Sequence, residues 1–247
     1  MEEDLGVAGA ARALSEGDGA RVLVADVDAA TGCEIARALE REGFEVEFEP
    51  SVAGARRAIA AGRFAAVVLS LAFVDDAFEL CQSVRAAAAV PIIAVGAQYS
   101  DADCVRALRS GADDYVSRHA SAAVLRARVS ALLRRTPPRA TGGAAVRRVG
   151  AMTLDLARQG AVVDGSFVKL TRSELSVLGL LADPPRKART RAEIMAHLWR
   201  SEHVGCGRAC DIHILNLRRK LERDPRAPER IVTVRSYGYR LEPGEER

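Results

Sequence analysis

Short apolar runs alternate with helix-compatible segments throughout the first half of the chain. Five such runs occur at residues 22–25, 46–48, 66–71, 91–95 and 115–116. Short runs bounded by polar segments predict strands, and strict alternation of strand and helix predicts a parallel sheet covered on both faces. We therefore predict an α/β fold, a doubly wound five-stranded parallel sheet. The carboxyl ends of its strands, where such sheets bind ligands, fall near Asp26, Ser70, Gly96 and Arg118.

The second half of the chain carries a helical pattern followed by a hairpin pattern. Residues 208–222 are predicted to form a helix that packs through Ile212, Leu215, Leu217 and Leu221. Residues 230–241 alternate around Gly238, which predicts a two-stranded hairpin with Arg235 near its tip. The polar face of the helix carries Arg208, Asn216, Arg218, Arg219 and Lys220. A basic face suits a groove lined by phosphates, and guanidinium and carboxamide groups match the edges of guanine and adenine.

The two halves also carry opposite charge. Residues 1–133 contain 13 basic and 20 acidic residues, whereas residues 134–247 contain 23 basic and 13 acidic residues. A basic half attracts a polyanion through counterion release, and an acidic half is repelled from it. The charge distribution therefore indicates that the second half binds nucleic acid.

A segment rich in proline, glycine and charge separates the halves and predicts a linker. We predict a flexible tail at residues 1–19, a first domain at 20–134, the linker at 135–147 and a DNA-binding domain at 148–244. No apolar run approaches the length of a membrane span, and the first residues lack the features of a signal peptide. We therefore expect a cytoplasmic protein with no membrane partner.

Four motifs of the second half, in their order, resemble the winged helix-turn-helix effector domain of OmpR/PhoB-type response regulators. They lie at residues 170–175, 198–199, 211–222 and 233–241. The resemblance implies a transcription regulator rather than an enzyme, with duplex DNA as its partner and RNA polymerase as a further one. The residues expected to contact DNA are Arg208, His213, Asn216, Arg218, Arg219 and Arg235.

The first half is similar to the receiver domain of the same family, down to the run at residues 111–116. Such receivers transfer a phosphoryl group to an aspartate beside a bound Mg²⁺. Matched position by position, the acceptor is Ser70, the acidic pair is Asp26 and Val27, the hydroxyl position is Gly96 and the lysine position is Arg118.

These departures remove the chemistry of the family. An acyl phosphate needs a carboxylate nucleophile, and Mg²⁺ needs several hard oxygen ligands close together. Since Ser70 and Val27 supply neither, we predict a degenerate phosphoacceptor pocket, no aspartyl phosphorylation, and no cofactor or metal. A surrogate acceptor at Asp75 or Asp76 is disfavoured because a loop carboxylate without a metal lacks electrostatic help.

Two replacements for phosphate control remain open. One is a constitutive homodimer on direct-repeat sites, formed through the receiver face that family members use. Its expected members are Cys104, Asp113, Asp114, Val124 and Arg128. The other is a ligand- or redox-sensing regulator whose vacant pocket binds a small metabolite, with Arg118 and His119 beside Asp26 meeting an anion.

The cysteines near the predicted DNA-binding helix have two interpretations, zinc binding or packing in the core. Cys206 and Cys210 lie near His203 and His213, and thiols and imidazoles this close together are zinc ligands in other proteins. However, Cys210 matches a position that is apolar in the family, and His213 matches a histidine carried without metal. We therefore expect packing and DNA contact here rather than a metal or redox role.

Overall fold

Five parallel strands form the centre of the first domain in the computed structural model, which describes residues 19–62, 64–73, 75–87, 90–134, 146–199 and 208–244. The strands are β1 (Arg21–Ala25), β2 (Glu45–Glu49), β3 (Ala66–Ser70), β4 (Ile92–Gly96) and β5 (Asp114–Ser117). Their order is β2-β1-β3-β4-β5, and every neighbouring pair is parallel. The predicted fold class is confirmed, and the chain reverses its winding between β1 and β3.

Helices cover both faces of this sheet. They are α1 (Ala29–Glu40), α2 (Val52–Ala61), α3 (Asp75–Ala87), α4 (Asp101–Arg109) and α5 (Ala122–Arg134). Successive strand residues point to opposite faces, so Val22 and Val24 pack with α1 and α5, whereas Leu23 and Ala25 pack with α2, α3 and α4. The central strands β3 and β4 are fully buried and apolar on both sides for this reason, whereas the edge strand β2 alternates glutamates with Val46 and Phe48.

The second domain begins with an antiparallel sheet and continues with three helices and a hairpin. The sheet contains β6 (Val146–Val149), β7 (Met152–Asp155), β8 (Gly160–Val163) and β9 (Ser166–Lys169). It is followed by α6 (Arg172–Leu181), β10 (Arg189–Thr190), α7 (Arg191–Trp199), α8 (Ala209–Leu221), β11 (Ile231–Val234) and β12 (Gly238–Leu241). The predicted helix and hairpin of this half are both present.

The sheet β6–β9 is absent from the predictions above. Its strands have four residues each, which is too short for alternation to stand out. One local signal exists: Asp164 and Gly165 join β8 to β9 with φ angles of 49° and 78°. Two positive φ angles make this a type I′ hairpin turn, for which Asp-Gly is a favoured pair. The sheet begins at Val146, inside the range predicted as a linker.

No helix in the described part of the chain is both long enough and apolar enough to cross a bilayer.

Candidate nucleic-acid interface

The helix predicted to enter DNA, α8, is apolar on two faces. On one face Cys210, Ile214 and Leu217 are buried in the core of the second domain. On another face Ala209 and Ile212 are each 5% exposed and belong to a core cluster of the first domain. Ile212 is buried as predicted, but it is covered by an apolar surface of the first domain and not by the core of its own domain.

The element that covers this second face of α8 is α4. Ile212 shares a buried cluster with Leu108 of α4, and Asn216 Nδ2 donates a hydrogen bond to the backbone oxygen of Leu108 at 3.1 Å. Ala209, Ile212 and Asn216 are three and four residues apart, so they lie along one stripe of the helix. This stripe points away from the core of its own domain, as the groove-reading side of a recognition helix must. The first domain therefore covers the stripe of α8 that carries Asn216, one of the residues expected to contact DNA.

Three of the six residues expected to contact DNA are exposed. Arg208 lies at the start of α8, Arg219 lies near its end, and Arg235 follows β11 at the tip of the hairpin. The first two lie at the two ends of α8, and the third lies on the hairpin of β11 and β12. All three are therefore on the second domain with their charges in solvent.

The other three residues are engaged within the protein. His213 is 1% exposed, so it is not available to a groove in this arrangement. Asn216 is held by Leu108 as described. Arg218 donates from Nε to the backbone oxygen of Ile231 and from Nη2 to Thr233 Oγ1, both at 2.8 Å. Arg218 therefore braces the hairpin against α8, a role that the charge pattern alone did not suggest.

A hydrogen-bond network around Asp113 joins the two domains beside the helix pair. Ser173 donates from its backbone nitrogen to Asp113 Oδ1 at 3.2 Å and from Oγ to the Asp113 backbone oxygen at 3.3 Å. Within the first domain, Asp113 Oδ2 accepts from Arg85 Nη2 at 2.5 Å and from the Ile92 nitrogen at 3.0 Å. Ser173 is the second residue of α6, so a carboxylate of one domain accepts from a backbone amide in the first turn of a helix in the other.

Arg128 forms a second link between the domains. Its Nη1 donates to Asp114 Oδ2 at 3.3 Å, and its guanidinium carbon lies 4.3 Å from the ring centroid of Trp199 in α7. Both Arg128 and Trp199 are buried. The stacked pair therefore belongs to the contact between the domains.

Four of the five residues expected at a dimer interface are thus covered by the chain's own second domain or by its first-domain core. Cys104, Asp113, Asp114 and Arg128 are buried, and Val124 is half-buried. The face made by α4, β5 and α5 is occupied in this arrangement. It cannot hold a second copy of the chain until the domains separate.

The degenerate pocket residues meet at the carboxyl edge of the parallel sheet. Asp26 is completely buried and accepts at Oδ1 from the Asp28 nitrogen at 3.0 Å, while its Oδ2 has no hydrogen-bond partner. Ser70 is buried and its Oγ accepts from the Ala72 nitrogen at 3.2 Å. Arg118 donates from its backbone nitrogen to Gly96 at 2.8 Å. Val27, by contrast, is 52% exposed.

These residues do not fit the Mg²⁺ ion that receivers of this family hold. Asp28 caps α1, and hydrogen bonds from Thr31 are the main cause that lowers the pKa of its carboxyl. Arg118 Nη1 also lies 3.9 Å from Asp28 Oδ2, so a cation already faces that oxygen. Since Val27 has no oxygen in its side chain and Ser70 carries no charge, Asp26 alone would have to hold the ion. No group of three or more metal-ligating side chains occurs among the described residues.

Tyr115 fills the space beside Gly96. A Cβ atom built on Gly96 would lie 2.1 Å from Tyr115 Oη, so a larger residue there would displace the ring. Tyr115 is 3% exposed and its hydroxyl donates to the Gln98 backbone oxygen at 2.7 Å. The ring belongs to the same buried cluster as Ala209 and Ile212 of α8. The pocket is therefore linked through Tyr115 to the contact that covers the recognition helix.

The cysteine in the first turn of α8 is a core residue. Cys210 is 1% exposed, and burial raises the pKa of its thiol to about 12. A neutral buried thiol is a poor nucleophile and a poor metal ligand. Cys206 and His203, the other members of the possible zinc set, lie outside the described residues.

Comparison with known proteins shows which proteins this chain resembles. Residues 165–241 match the family described as "Transcriptional regulatory protein, C terminal". The sensory transduction protein RegX3 of Mycolicibacterium smegmatis is 33% identical over 224 residues, which cover 90% of this chain and 98% of the relative. The DNA-binding response regulator MtrA of the same organism is 32% identical over 224 residues, 90% of this chain and 97% of the relative. A solved structure of a RitR mutant shares the fold at 20% identity, with a TM-score of 0.71 over 92% of this chain and all of that one.

Proposed function

Because this chain belongs to the OmpR/PhoB family of DNA-binding response regulators, we propose that it controls transcription by a competition between its own receiver and duplex DNA for one side of α8. It is a DNA-binding regulator and not an enzyme. The observation that carries the proposal is the contact of Ile212 and Asn216 with α4. DNA can use this stripe only after the receiver has left it.

Aspartyl phosphorylation is not the signal that separates the domains. The proposal rests on Ser70, which offers a hydroxyl where the acyl phosphate would need a carboxylate, and on the poor fit of Mg²⁺ to Asp26 and its neighbours. A change in the balance between closed and open forms must come from DNA itself, from a ligand or from a protein partner.

The open form is the one that dimerises. Separation of the domains uncovers the face of α4, β5 and α5, and Asp114 and Arg128 then become available to a second copy. This revises the expectation of a dimer that already exists in the unbound protein, because one face cannot hold both partners. On direct-repeat sites, two open chains would pair through their receivers, with the hairpins carrying Arg235 on the DNA and RNA polymerase as the further partner.

The variant Ser173→Asp tests the competition. It places a second carboxylate against buried Asp113, where like charges repel strongly, yet an acidic residue in the first turn suits α6 itself. We expect the variant to bind DNA about tenfold more tightly than the parent. This gain results if about a tenth of the parent molecules are open, because apparent affinity falls with the fraction of molecules that can bind.

The matched control is Ser176→Asp, which adds the same charge to the same helix where the hydroxyl contacts His197 instead of the receiver. Fluorescence anisotropy would use a duplex selected from a random library by binding to the parent chain. Equal affinities of Ser173→Asp and the parent would overturn the competition. A parent that selects no duplex at all would overturn DNA binding.

A further inference from the structure

A cleft of about 430 Å³ lies where the two domains meet, and basic side chains from both domains line it. Arg85 and Arg109 come from the receiver, and Lys169, Arg219 and Lys220 come from the DNA-binding domain. We propose that this interdomain cleft binds a small polyphosphate-bearing metabolite, which holds the domains together and so withdraws α8 from DNA. The inference rests on the proposed competition and assigns it a ligand.

The protein neutralises only part of the charge of the cleft, since Arg85 pairs with Asp113 and Lys220 pairs with Glu174. Its lining contains one acidic side chain, Glu174, which is 3% exposed and already accepts from Lys220 Nζ at 2.6 Å and from the Thr171 nitrogen at 2.8 Å. Within the described part of the chain, Arg109, Lys169 and Arg219 have no carboxylate partner, and the Nη1 atom of Arg85 has no hydrogen-bond acceptor. Closing the domains therefore brings like charges together, and an anion between them would remove that cost.

The DNA-binding role of the second domain does not account for all of this charge. Arg85 and Arg109 belong to the acidic half of the chain, which DNA repels as a whole. They lie at the end of α3 and at the end of α4, on the side that turns towards the second domain. Their position therefore fits a ligand held between the domains better than a contact with DNA.

The shape and chemistry of the cleft define the ligand class. Guanidinium groups bind phosphate oxygens in pairs, and three cations without a carboxylate partner, from opposite walls, match several phosphates rather than one. Leu108 and Leu170 add an apolar surface to the lining, and the volume lies in the range of small-molecule sites. A nucleoside triphosphate has this combination of phosphates and an apolar ring, whereas inorganic tripolyphosphate has the phosphates alone.

Binding should be measured by calorimetry on the full chain with ATP in the absence of Mg²⁺ and with tripolyphosphate, using sulfate at equal ionic strength as the reference. We expect Arg109→Gln to weaken ATP binding about tenfold or more, as expected for loss of a charge-assisted contact. The matched control is Arg126→Gln, which removes an exposed receiver arginine that pairs with Glu42 and does not line the cleft. This variant should bind ATP like the parent.

Measuring DNA affinity in the presence of ATP distinguishes binding of ATP in the cleft from non-specific attraction of its phosphates to the basic side chains of α8. ATP should lower the DNA affinity of the parent and of Arg126→Gln, whereas Arg109→Gln should need about tenfold more ATP for the same effect. Arg109 is not on the DNA-binding domain, so direct binding of ATP to α8 would not depend on it. If ATP binds more tightly than tripolyphosphate, the apolar part of the cleft contacts the nucleoside and the ligand is a nucleotide. If the two bind equally, the ligand is a free polyphosphate. Absence of binding by both, or equal binding by Arg109→Gln and the parent, would overturn the inference. If Ser173→Asp still gained DNA affinity, the competition itself would stand.

Discussion

The backbone nitrogen of Ser173, at the start of α6, donates a hydrogen bond to the carboxylate of Asp113 in the receiver at 3.2 Å. Both residues are completely buried. A buried amide and a buried carboxylate each need a partner, so separating the domains requires water to replace both contacts. The opposite charges of the two domains attract them without fixing their orientation. The hydrogen bond between Ser173 and Asp113 helps to fix the orientation in which α4 covers α8.

The receiver should be inert to small phosphodonors. Incubation with acetyl phosphate and Mg²⁺ should leave the intact mass unchanged, because Ser70 cannot form an acyl phosphate. Mg²⁺ alone should not raise the melting temperature, since an ion stabilises only a state that binds it. A mass increase of one phosphoryl group that disappears in Asp75→Asn or Asp76→Asn would establish a surrogate acceptor.

A methyl group at Gly96 should loosen both the pocket and the domain contact. Gly96→Ala places a Cβ against Tyr115 Oη, and overpacking of this kind costs about 1–3 kcal/mol of stability. Because Tyr115 shares a cluster with Ile212, the variant should also bind DNA more tightly than the parent. Urea unfolding and anisotropy measure the two effects.

The control for this substitution is Gly179→Ala in α6, where an added Cβ meets no atom within 4 Å. There the methyl group should stabilise the helix by up to about 1 kcal/mol. If Gly96→Ala were as stable as the parent and bound DNA equally, Tyr115 would not link the pocket to α8.

The fold and the pocket were largely predictable from the sequence, whereas the contact between the domains was not. Alternating apolar runs identify β1 to β5, and the positions of Ser70 and Gly96 identify the pocket because they depend only on the ends of those strands. Ile212 shows the limit of this reasoning. The helical spacing of Ile212 predicts that it is buried but does not predict which domain covers it. The same apolar pattern results whether the residue packs against α4 or against the core of the second domain.

The unbound protein should be a monomer that dimerises when opened. The parent should sediment as a monomer because its own second domain covers Asp113 and Arg128. Ser173→Asp should associate more strongly than Ser176→Asp, because only the former uncovers the face of α4, β5 and α5. Sedimentation velocity over a range of concentrations measures this difference. A parent dimer with Trp199 still buried would mean that another surface pairs the chains.

Alkaline pH should destabilise the fold through its buried thiols. Burial raises the pKa of Cys81 and of Cys210 to about 12, from 9.0. A group whose pKa is raised by folding contributes stability that is fully present below its unfolded pKa and is lost as the pH rises through its folded pKa. The melting temperature should therefore fall between about pH 9 and pH 12.

Replacing either thiol with an uncharged side chain should reduce this alkaline loss. Cys210→Ala should show a shallower decline than the parent, although it is less stable at neutral pH because of the cavity. Iodoacetamide at pH 8 should label half-buried Cys33 before Cys210, as peptide mass spectrometry would show. Rapid labelling of Cys210 in the folded protein would contradict its place in the core.

Hydrogen exchange in α4 tests the competition for α8 most directly. Because α4 belongs to the receiver, its amides do not contact DNA. Faster exchange of these amides therefore reports that the contact between α4 and α8 has been broken. A duplex with a single site should be used, because a repeat would allow a second receiver to cover the same face. Exchange of the amides of Asp101–Arg109 would be followed by mass spectrometry with and without saturating duplex.

Saturating DNA should accelerate exchange in α4 while it slows exchange in α8. In Ser173→Asp the α4 amides should already exchange quickly before DNA is added, and in Ser176→Asp they should behave as in the parent. Slow exchange in α4 that persists when the duplex is fully bound would mean that DNA and the receiver hold α8 at the same time, and the competition would be refuted.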